Sequence, residues 1–560
     1  MVKSRKKTLV LLSAVILIGS SLTASWFVSR SAAAVHRLER YLPSDTIAFI
    51  GVPDLRTLAL RIAESDAWQQ FARANPTATS AFLIGANHAG ILDAGYAAAL
   101  LMSRSPDGQA NPELVLVAEF DSTDARRLFE RRALQLWKRY GRVRTFLPNE
   151  RYADADIFHL PGSRENLIYA RSDRLVVLSR SSEAVKKILD VRQGRVPSLE
   201  SNPHLIQTRQ GGFNDVIGFI DGSAVRRLIE SLPANDPQEA QLLREILMKA
   251  GADSITSAVL TSTFDEGRVI ERLHVGVAGE EGLARVILRT PPTPRALLSL
   301  VPEDAERIFD VSTATVSEAT EVIHALLDHA RVALGRRAPR DVLEEIRRKT
   351  GIDVQADILS SLGSEACVVD LSSGETHRHV LLVSVRDQAR VARALEKLAL
   401  SLGYRLMSSN AYGASITSLV GKSNRALLHY TFADGVFIAS NTLDAVGKVL
   451  DTARSGRSLR DSTSYREALN DLPEDAAFLF YGSNRDYLNR LGRMLSASKK
   501  DFTPTPLQVD LKPSVAYGII EPDGVTVESR SPLGLAPRLV TAILTWLSKE
   551  PPSDLGQESR

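Results

Sequence analysis

The chain repeats its own punctuation. At a shift of about 260 residues, a series of short motifs returns in the same order. Leu42-Pro43-Ser44-Asp45 meets Val301-Pro302-Glu303-Asp304. The apolar run 114–118, closing near Asp121, meets 380–384, closing near Asp387, and each precedes an amphipathic stretch, 125–140 and 391–402. Leu167-Ile168-Tyr169-Ala170-Arg171-Ser172-Asp173 with the run 175–179 meets Leu428-His429-Tyr430-Thr431-Phe432-Ala433-Asp434 with 436–440. Both copies then carry a helical pattern to Leu-Asp, at Leu189-Asp190 and Leu450-Asp451, and a loop with Ser-Leu, at Ser198-Leu199 and Ser458-Leu459. Phe219-Ile220-Asp221-Gly222-Ser223 meets Phe480-Tyr481-Gly482-Ser483. A chain that repeats in this way is expected to fold as two copies of one plan.

Alternating apolar runs around glycine turns close each copy. In the first they are 255–264 and 269–277 around Asp265-Glu266-Gly267, and in the second 515–520 and 525–529 around Pro522-Asp523-Gly524. Glycine accepts the positive φ that such turns demand, so these are hairpins. The order strand, helix, hairpin, helix, hairpin, helix, strand, helix, hairpin predicts an α+β fold. Each module is expected to be a mainly antiparallel sheet with helices packed on one face. A length of 560 residues is too great for one core, which agrees with two domains. The expected first module spans 38–280 and the second 293–532, joined near 280–295. Arg289-Thr290-Pro291-Pro292-Thr293-Pro294 there can continue neither a helix nor a central strand.

Residues 8–28 hold no charge over 21 positions, enough helix to cross about 30 Å of hydrocarbon. Lys3, Arg5, Lys6 and Lys7 precede the segment, so 1–7 is expected to be a cytoplasmic basic stub and the body to lie outside. The rival reading is a cleaved signal peptide, with small residues at Leu22-Thr23-Ala24 or Ala32-Ala33-Ala34, but 8–28 is longer than the usual apolar core of one. Both readings export the body, as a single-pass membrane protein in the first case. At the other end, 533–560 is expected to be an amphipathic helix with Leu539, Ile543, Trp546 and Leu547 on one face, followed by a polar tail.

The opening of the body, Leu42-Pro43-Ser44-Asp45-Thr46 followed by the strand 47–52 and Pro53-Asp54-Leu55, resembles an uncharacterised family of exported, membrane-anchored bacterial proteins whose body begins with Leu-Pro-x-Asp-Thr. The likeness covers mainly the start of the first copy, with echoes at Pro302 to Asp304 and at Leu472-Pro473-Glu474-Asp475. It implies a location and a fold class and carries over no catalytic residue. In physical terms the motif is a turn that launches a strand, since Pro fixes φ and Asp accepts bonds from the amides that follow.

Charge and motif content narrow the chemistry. The net charge is +3, and the four basic residues of the first seven leave the remainder at −1. No concentrated basic face of the kind that neutralises phosphates is expected, so no nucleic-acid partner is. The matched pairs Glu344/Arg348 and Glu345/Lys349 read as a solvated helix surface. Cys367 is the single cysteine, which excludes an internal disulfide and a paired-thiolate metal site and predicts a buried strand residue. Gly421-Lys422-Ser423 lacks the earlier glycine of a phosphate loop, since Ile416 stands there. His377 and His379 share a strand face but name no third ligand. His324 and His329 are five apart, about 140° around a helix, unlike a zinc protease pair. Ser496-Ala497-Ser498-Lys499 has the spacing of a Ser/Lys nucleophile but reads as a solvated helix end.

No catalytic, cofactor-binding or metal-ligating residue is therefore assigned, and no cofactor is expected. The function expected is that of a non-enzymatic binding or scaffold protein of the cell envelope. Its partners would be the membrane, through the N-terminal helix, and an envelope protein or a small-molecule ligand between the modules. The alternative is an envelope hydrolase whose site is assembled from distant segments.

Overall fold

The computed structural model describes residues 36–74, 90–104, 110–139, 148–160, 167–209, 214–231, 251–265, 267–279, 282–324, 342–371, 378–470, 472–482 and 511–532, and single positions between and after them. The segments 8–28 and 539–547, His329, His377 and 496–499 lie outside the described residues. Among the described residues no helix is long and apolar enough to cross a membrane.

The protein is α+β, and its described residues form one antiparallel sheet of 20 strands. The first half contributes β1 (Ala48–Val52), β2 (Ala94–Arg104), β3 (Ala110–Phe120), β4 (Glu150–Tyr152), β5 (Ala155–Leu160), β6 (Leu167–Ser172), β7 (Leu175–Ser179), β8 (Val216–Asp221), β9 (Ile255–Asp265) and β10 (Arg268–Val277). The second half contributes β11 (Arg307–Ser312), β12 (Leu362–Asp370), β13 (His379–Val385), β14 (Arg405–Ala411), β15 (Ala414–Val420), β16 (Ala426–Ala433), β17 (Val436–Ser440), β18 (Ala476–Gly482), β19 (Ser514–Glu521) and β20 (Gly524–Ser531).

Across the first half the strands run β4-β5-β6-β7-β3-β2-β1-β8-β9-β10. The second half runs β14-β15-β16-β17-β13-β12-β11-β18-β19-β20, the same order with each number raised by ten. The last strands of the two halves, β10 and β20, pair antiparallel from Val269↔Ser531 to Gly276↔Gly524 and close the sheet into one. The expectation of two separate sheets is corrected here. Each half has a bare final strand, and pairing the two satisfies amides that would otherwise form an exposed edge.

Local chemistry explains the elements. The helices α1 (Leu55–Glu64), α2 (Thr123–Arg139), α3 (Ser182–Arg192), α4 (Gln388–Ser401) and α5 (Leu443–Ser455) include four whose N-caps accept an amide bond: Asp54 from Thr57, Ser181 from Ala184, Asp387 from Arg390 and Thr442 from Ala445. Gly456 ends α5 at φ +68, where a left-handed residue closes the last turn. Asp434 and Gly435, both at positive φ, form the two-residue turn between β16 and β17.

Each half keeps its own hydrophobic core. One cluster, from Leu38 to Val259, gathers Phe49, Ala97, Val115, Val117 and Phe219 under Val185, Ile188 and Leu189 of α3. Another, from Leu297 to Tyr517, gathers Ile308, Val369, Leu382 and Ile438 under Val446, Val449 and Leu450 of α5. In the first half helices also cover the opposite face. Tyr96, Ala118 and Phe120 project there and meet Ala125 and Phe129 of α2, while Leu55, Leu58 and Ala59 of α1 pack beside Tyr96. Helices therefore lie on both faces, a correction to the single-face expectation. The runs in β2 and β3 alternate between two apolar sets, and each set finds a helix.

One further difference is local. Each half contains one hairpin more than expected, β4–β5 and β14–β15; Tyr412-Gly413 turns the second, both at positive φ. The run 289–294 forms neither helix nor strand, and within it Thr293 is buried with its amide donating to the Ala476 carbonyl at 2.9 Å.

The turn motif of the first half is tied down in the way its counterpart is in the second. Pro43 bridges Ser198 and Pro302 bridges Ser458. The amide of Leu199 donates to Leu42 at 2.7 Å, and that of Leu459 to Val301 at 2.8 Å. Asp45 pairs with Lys187 at 2.6 Å, and Asp304 pairs with Lys448.

On the face opposite the two main cores, Ile50, Leu114 and Ile220 of the first half and Phe309, Val368 and Leu381 of the second are exposed among the described residues. Directly paired residues project to one face. The register Phe309↔Phe480↔Ala516↔Ser529↔Glu271↔Ser262↔Val216 therefore puts both sets on one side of the sheet.

Candidate functional site

The residues just before β1 and β11 each carry a buried ionic cluster, built from different side chains. In the first half His36 is 4% exposed and lies between two carboxylates. Its Nδ1 is 3.1 Å from Glu119 Oε2, and its Nε2 bonds Asp121 Oδ1 at 2.8 Å. Glu119 sits on the core face of β3 and also receives Arg40 at 2.5 Å and Arg174 at 3.3 Å. Burial works against a charged imidazole, yet the hydrogen bonds and charges of Glu119 and Asp121 outweigh it and raise the pKa of His36 above its ordinary value. For Glu119, burial alone would raise the carboxyl, but its bond to His36 and the charge of Arg40 hold it below the usual range.

A glycine makes room for this histidine. A Cβ on Gly95 would lie 2.7 Å from the Pro53 carbonyl oxygen and 2.8 Å from the His36 Cβ. The second half fills the same place in the sheet differently. Gly51 faces Ala97 on β1 and β2, and the corresponding pair on β11 and β12 is Asp310 facing Cys367. Glu365, opposite Ser312, stands where Gly95 stands in the first half.

Asp310 is fully buried and Glu365 is 1% exposed. Glu365 accepts the amides of Ala296 at 2.9 Å and Leu297 at 2.8 Å, and so anchors the short helix Leu297–Leu300 to the sheet. Asp310 accepts the Thr293 hydroxyl at 3.0 Å through one oxygen; the other, Oδ1, is buried without a hydrogen-bond partner in the structure. Burial, and then the charge of Glu365, push the Asp310 pKa up to about 7, while the Thr293 bond and Arg295 act in the opposite sense. Burial, with Asp310 and Glu365 beside it, also pushes the Cys367 thiol well up, so it is a packed strand residue and not a nucleophile.

These clusters can hold a proton and can tie the entry of each half to its sheet. His36, Glu119, Asp310 and Glu365 are themselves buried among the described residues. Sequence reasoning singled out Cys367 and the proline turns and missed His36, Glu119, Asp310 and Glu365. A carboxylate inside an apolar strand, as in Val115 to Phe120 or Ile308 to Ser312, was the available signal.

The motifs weighed earlier are dispersed. His379 begins β13, exposed, with Nδ1 4.0 Å from Asp370 Oδ1. Gly421-Lys422-Ser423 forms the turn between β15 and β16, closed by the Gly421 amide on the Arg425 carbonyl at 3.1 Å. His324 lies 55 residues in sequence from His379 and 97 from Gly421. Lys349 pairs with Glu345 at 2.6 Å, as the spacing predicts. Two surface depressions are lined by charged side chains that are already paired: Arg171 with Asp156 in one, and in the other Lys186 with Glu150, which lies outside its lining.

No family model matches the chain, and no curated protein matches it. A solved structure titled "Structure of crystal form I of TP0453" is similar at 12% identity over 44% of this chain and 80% of that one, with a TM-score of 0.21. A likeness that weak describes neither the fold nor the function of this chain.

Proposed function

We propose that the chain is a non-enzymatic scaffold or binding protein of the cell envelope, built from two copies of one ten-strand module and tethered by the helix 8–28, with its N-terminus cytoplasmic and its body extracytoplasmic. The observation that carries this reading is the repeated strand order and its junction through β10 and β20, which fuses the copies into one broad surface. Exposed apolar side chains of both halves on one face of that surface support a partner protein of the envelope over a ligand held between the modules, because the backbone is strand-paired along the seam. The hydrolase alternative draws no support from these carboxylates, since both are enclosed in the core, where Asp310 holds the Thr293 hydroxyl and Glu365 two backbone amides.

The test is photo-crosslinking of the full chain in intact membranes, with a probe amino acid in place of Phe309 or Ile50. One reproducible crosslinked partner protein is expected from both positions. A chain that stays monomeric and yields no reproducible adduct would end the proposal.

A further inference from the structure

At the seam between the halves, three metal-binding side chains converge outside the clusters already described. His274 comes from β10, Glu521 from the end of β19, and Asp523 from the turn that leads into β20. One donor atom from each lies within 4.8 Å of the other two. We propose that His274, Glu521 and Asp523 form a binding site for one divalent transition-metal ion of the zinc type, which clips the first half to the closing hairpin of the second.

The donor types select the class of ion. An imidazole with two carboxylates favours first-row transition metals, whereas calcium and magnesium prefer oxygen ligands alone. Zinc bonds to nitrogen and oxygen at about 2.0–2.2 Å, which sets neighbouring ligand atoms about 3.4 Å apart. His274 Nδ1 and Glu521 Oε2 are already 3.3 Å apart, so a small side-chain rotation of Asp523 completes the set.

The backbone beneath the three residues is held in place. The Val277 amide donates to the Asp523 carbonyl at 2.8 Å. Gly524 lies so close to β10 that a Cβ there would sit 2.2 Å from the Val275 carbonyl oxygen. Thr526 touches both of the less exposed ligands: its hydroxyl donates to Glu521 Oε2 at 2.8 Å and is 3.0 Å from His274 Nδ1. The bond to Glu521 fixes the orientation of that carboxylate, as outer partners of metal ligands do, whereas on His274 Nδ1 the ion would take the place of Thr526. Asp523 is exposed, which leaves the outer side of the ion open to water.

The relation between the halves also gives a stoichiometry. By distance from the hairpin turns, the positions equivalent to His274, Glu521 and Asp523 are Arg530, Asp265 and Gly267. Arg530 is committed to Glu528 at 2.9 Å and cannot ligate a cation, so the seam carries one such site and not two.

Titration of the metal-free full chain with zinc chloride by calorimetry tests the proposal, with the thermal midpoint as a second readout. One ion per chain is expected, together with a rise in the midpoint, because an ion that binds only the folded state stabilises it. His274→Ala and Asp523→Asn are each expected to weaken binding at least tenfold and to abolish the midpoint rise. Asp523→Asn changes only an exposed turn residue and keeps the test valid should the His274 variant fold poorly. Asp265→Asn, at the equivalent location, and His379→Ala should leave binding unchanged. Absence of saturable one-to-one binding, binding that survives both ligand substitutions, or a preference for calcium over zinc would each overturn the site.

Discussion

Arg272 and Glu528 are each the fifth residue of the strand that closes their half, and they pair with each other across the seam, 2.8 Å apart. A local two-fold axis therefore runs through this pair. The partners are unequal, since Arg272 is largely solvent-exposed while Glu528 is 4% exposed and also holds Arg530 and the Tyr517 hydroxyl. Arg272→Ala should cost less than about 1 kcal/mol, as exposed ion-pair members do. Glu528→Ala should cost about 3 kcal/mol, because it strips a buried network. Denaturant titration of both variants decides the matter, and the reverse ranking would mean that the seam is not organised around the glutamate.

Asp310 predicts a stability that falls as pH rises. Its pKa is raised in the folded chain, to about 7, so the native state binds a proton more tightly than the unfolded chain does. The contribution is fully present below the unfolded carboxylate pKa and is lost as pH climbs towards 7, with a slope of at most about 1.4 kcal/mol per unit. Asp310→Asn mimics the protonated form and should flatten the stability profile between pH 4 and about 7. An unchanged profile would show that Asp310 is ionised in the native state.

His36 acts in the same direction over a higher range. Its folded pKa lies above 6.5, so its stabilisation is complete below that value and is lost as pH rises through the folded pKa. His36→Ala should remove that decline and cost about 3 kcal/mol at pH 6, since it strips a buried partner from Glu119 and Asp121. Thermal unfolding from pH 6 to 9 compares the two chains, and parallel curves would count against a charged His36.

Gly95 and Gly51 should respond oppositely to alanine. At Gly95 the new methyl would meet backbone and His36 at under 3 Å, whereas at Gly51 the nearest atoms are 3.6 Å away. Gly95→Ala should lose about 2–3 kcal/mol through overpacking, while Gly51→Ala should stay within about 0.5 kcal/mol of the parent. Chemical denaturation of the pair checks this, and equal effects would mean that the neighbours of Gly95 can move aside.

Much of the plan was legible because it depends on local chemistry. Alternation marked β9, β10, β19 and β20, the turn residues marked where hairpins close, and the order of motifs marked two equivalent halves. Leu42-Pro43 and Ser198-Leu199, like Val301-Pro302 and Ser458-Leu459, could be matched as separate signs, but nothing in the sequence said that each pair is joined by a bridge. The hairpins β4–β5 and β14–β15 were hidden by polar residues such as Ser408, Ser409 and Asn410, which blur a two-residue period.

What the chain determined by itself was the class of elements and their sequence, because side-chain period, capping and turn chemistry act over a few residues. Tertiary structure alone decided that β10 seeks β20, that helices cover both faces of the first half, and that a histidine fits beside Gly95 where the other half encloses Asp310 and Glu365. Those outcomes rest on amides needing partners and on charges compensating within a low-dielectric interior, and both depend on residues that only the folded chain brings together.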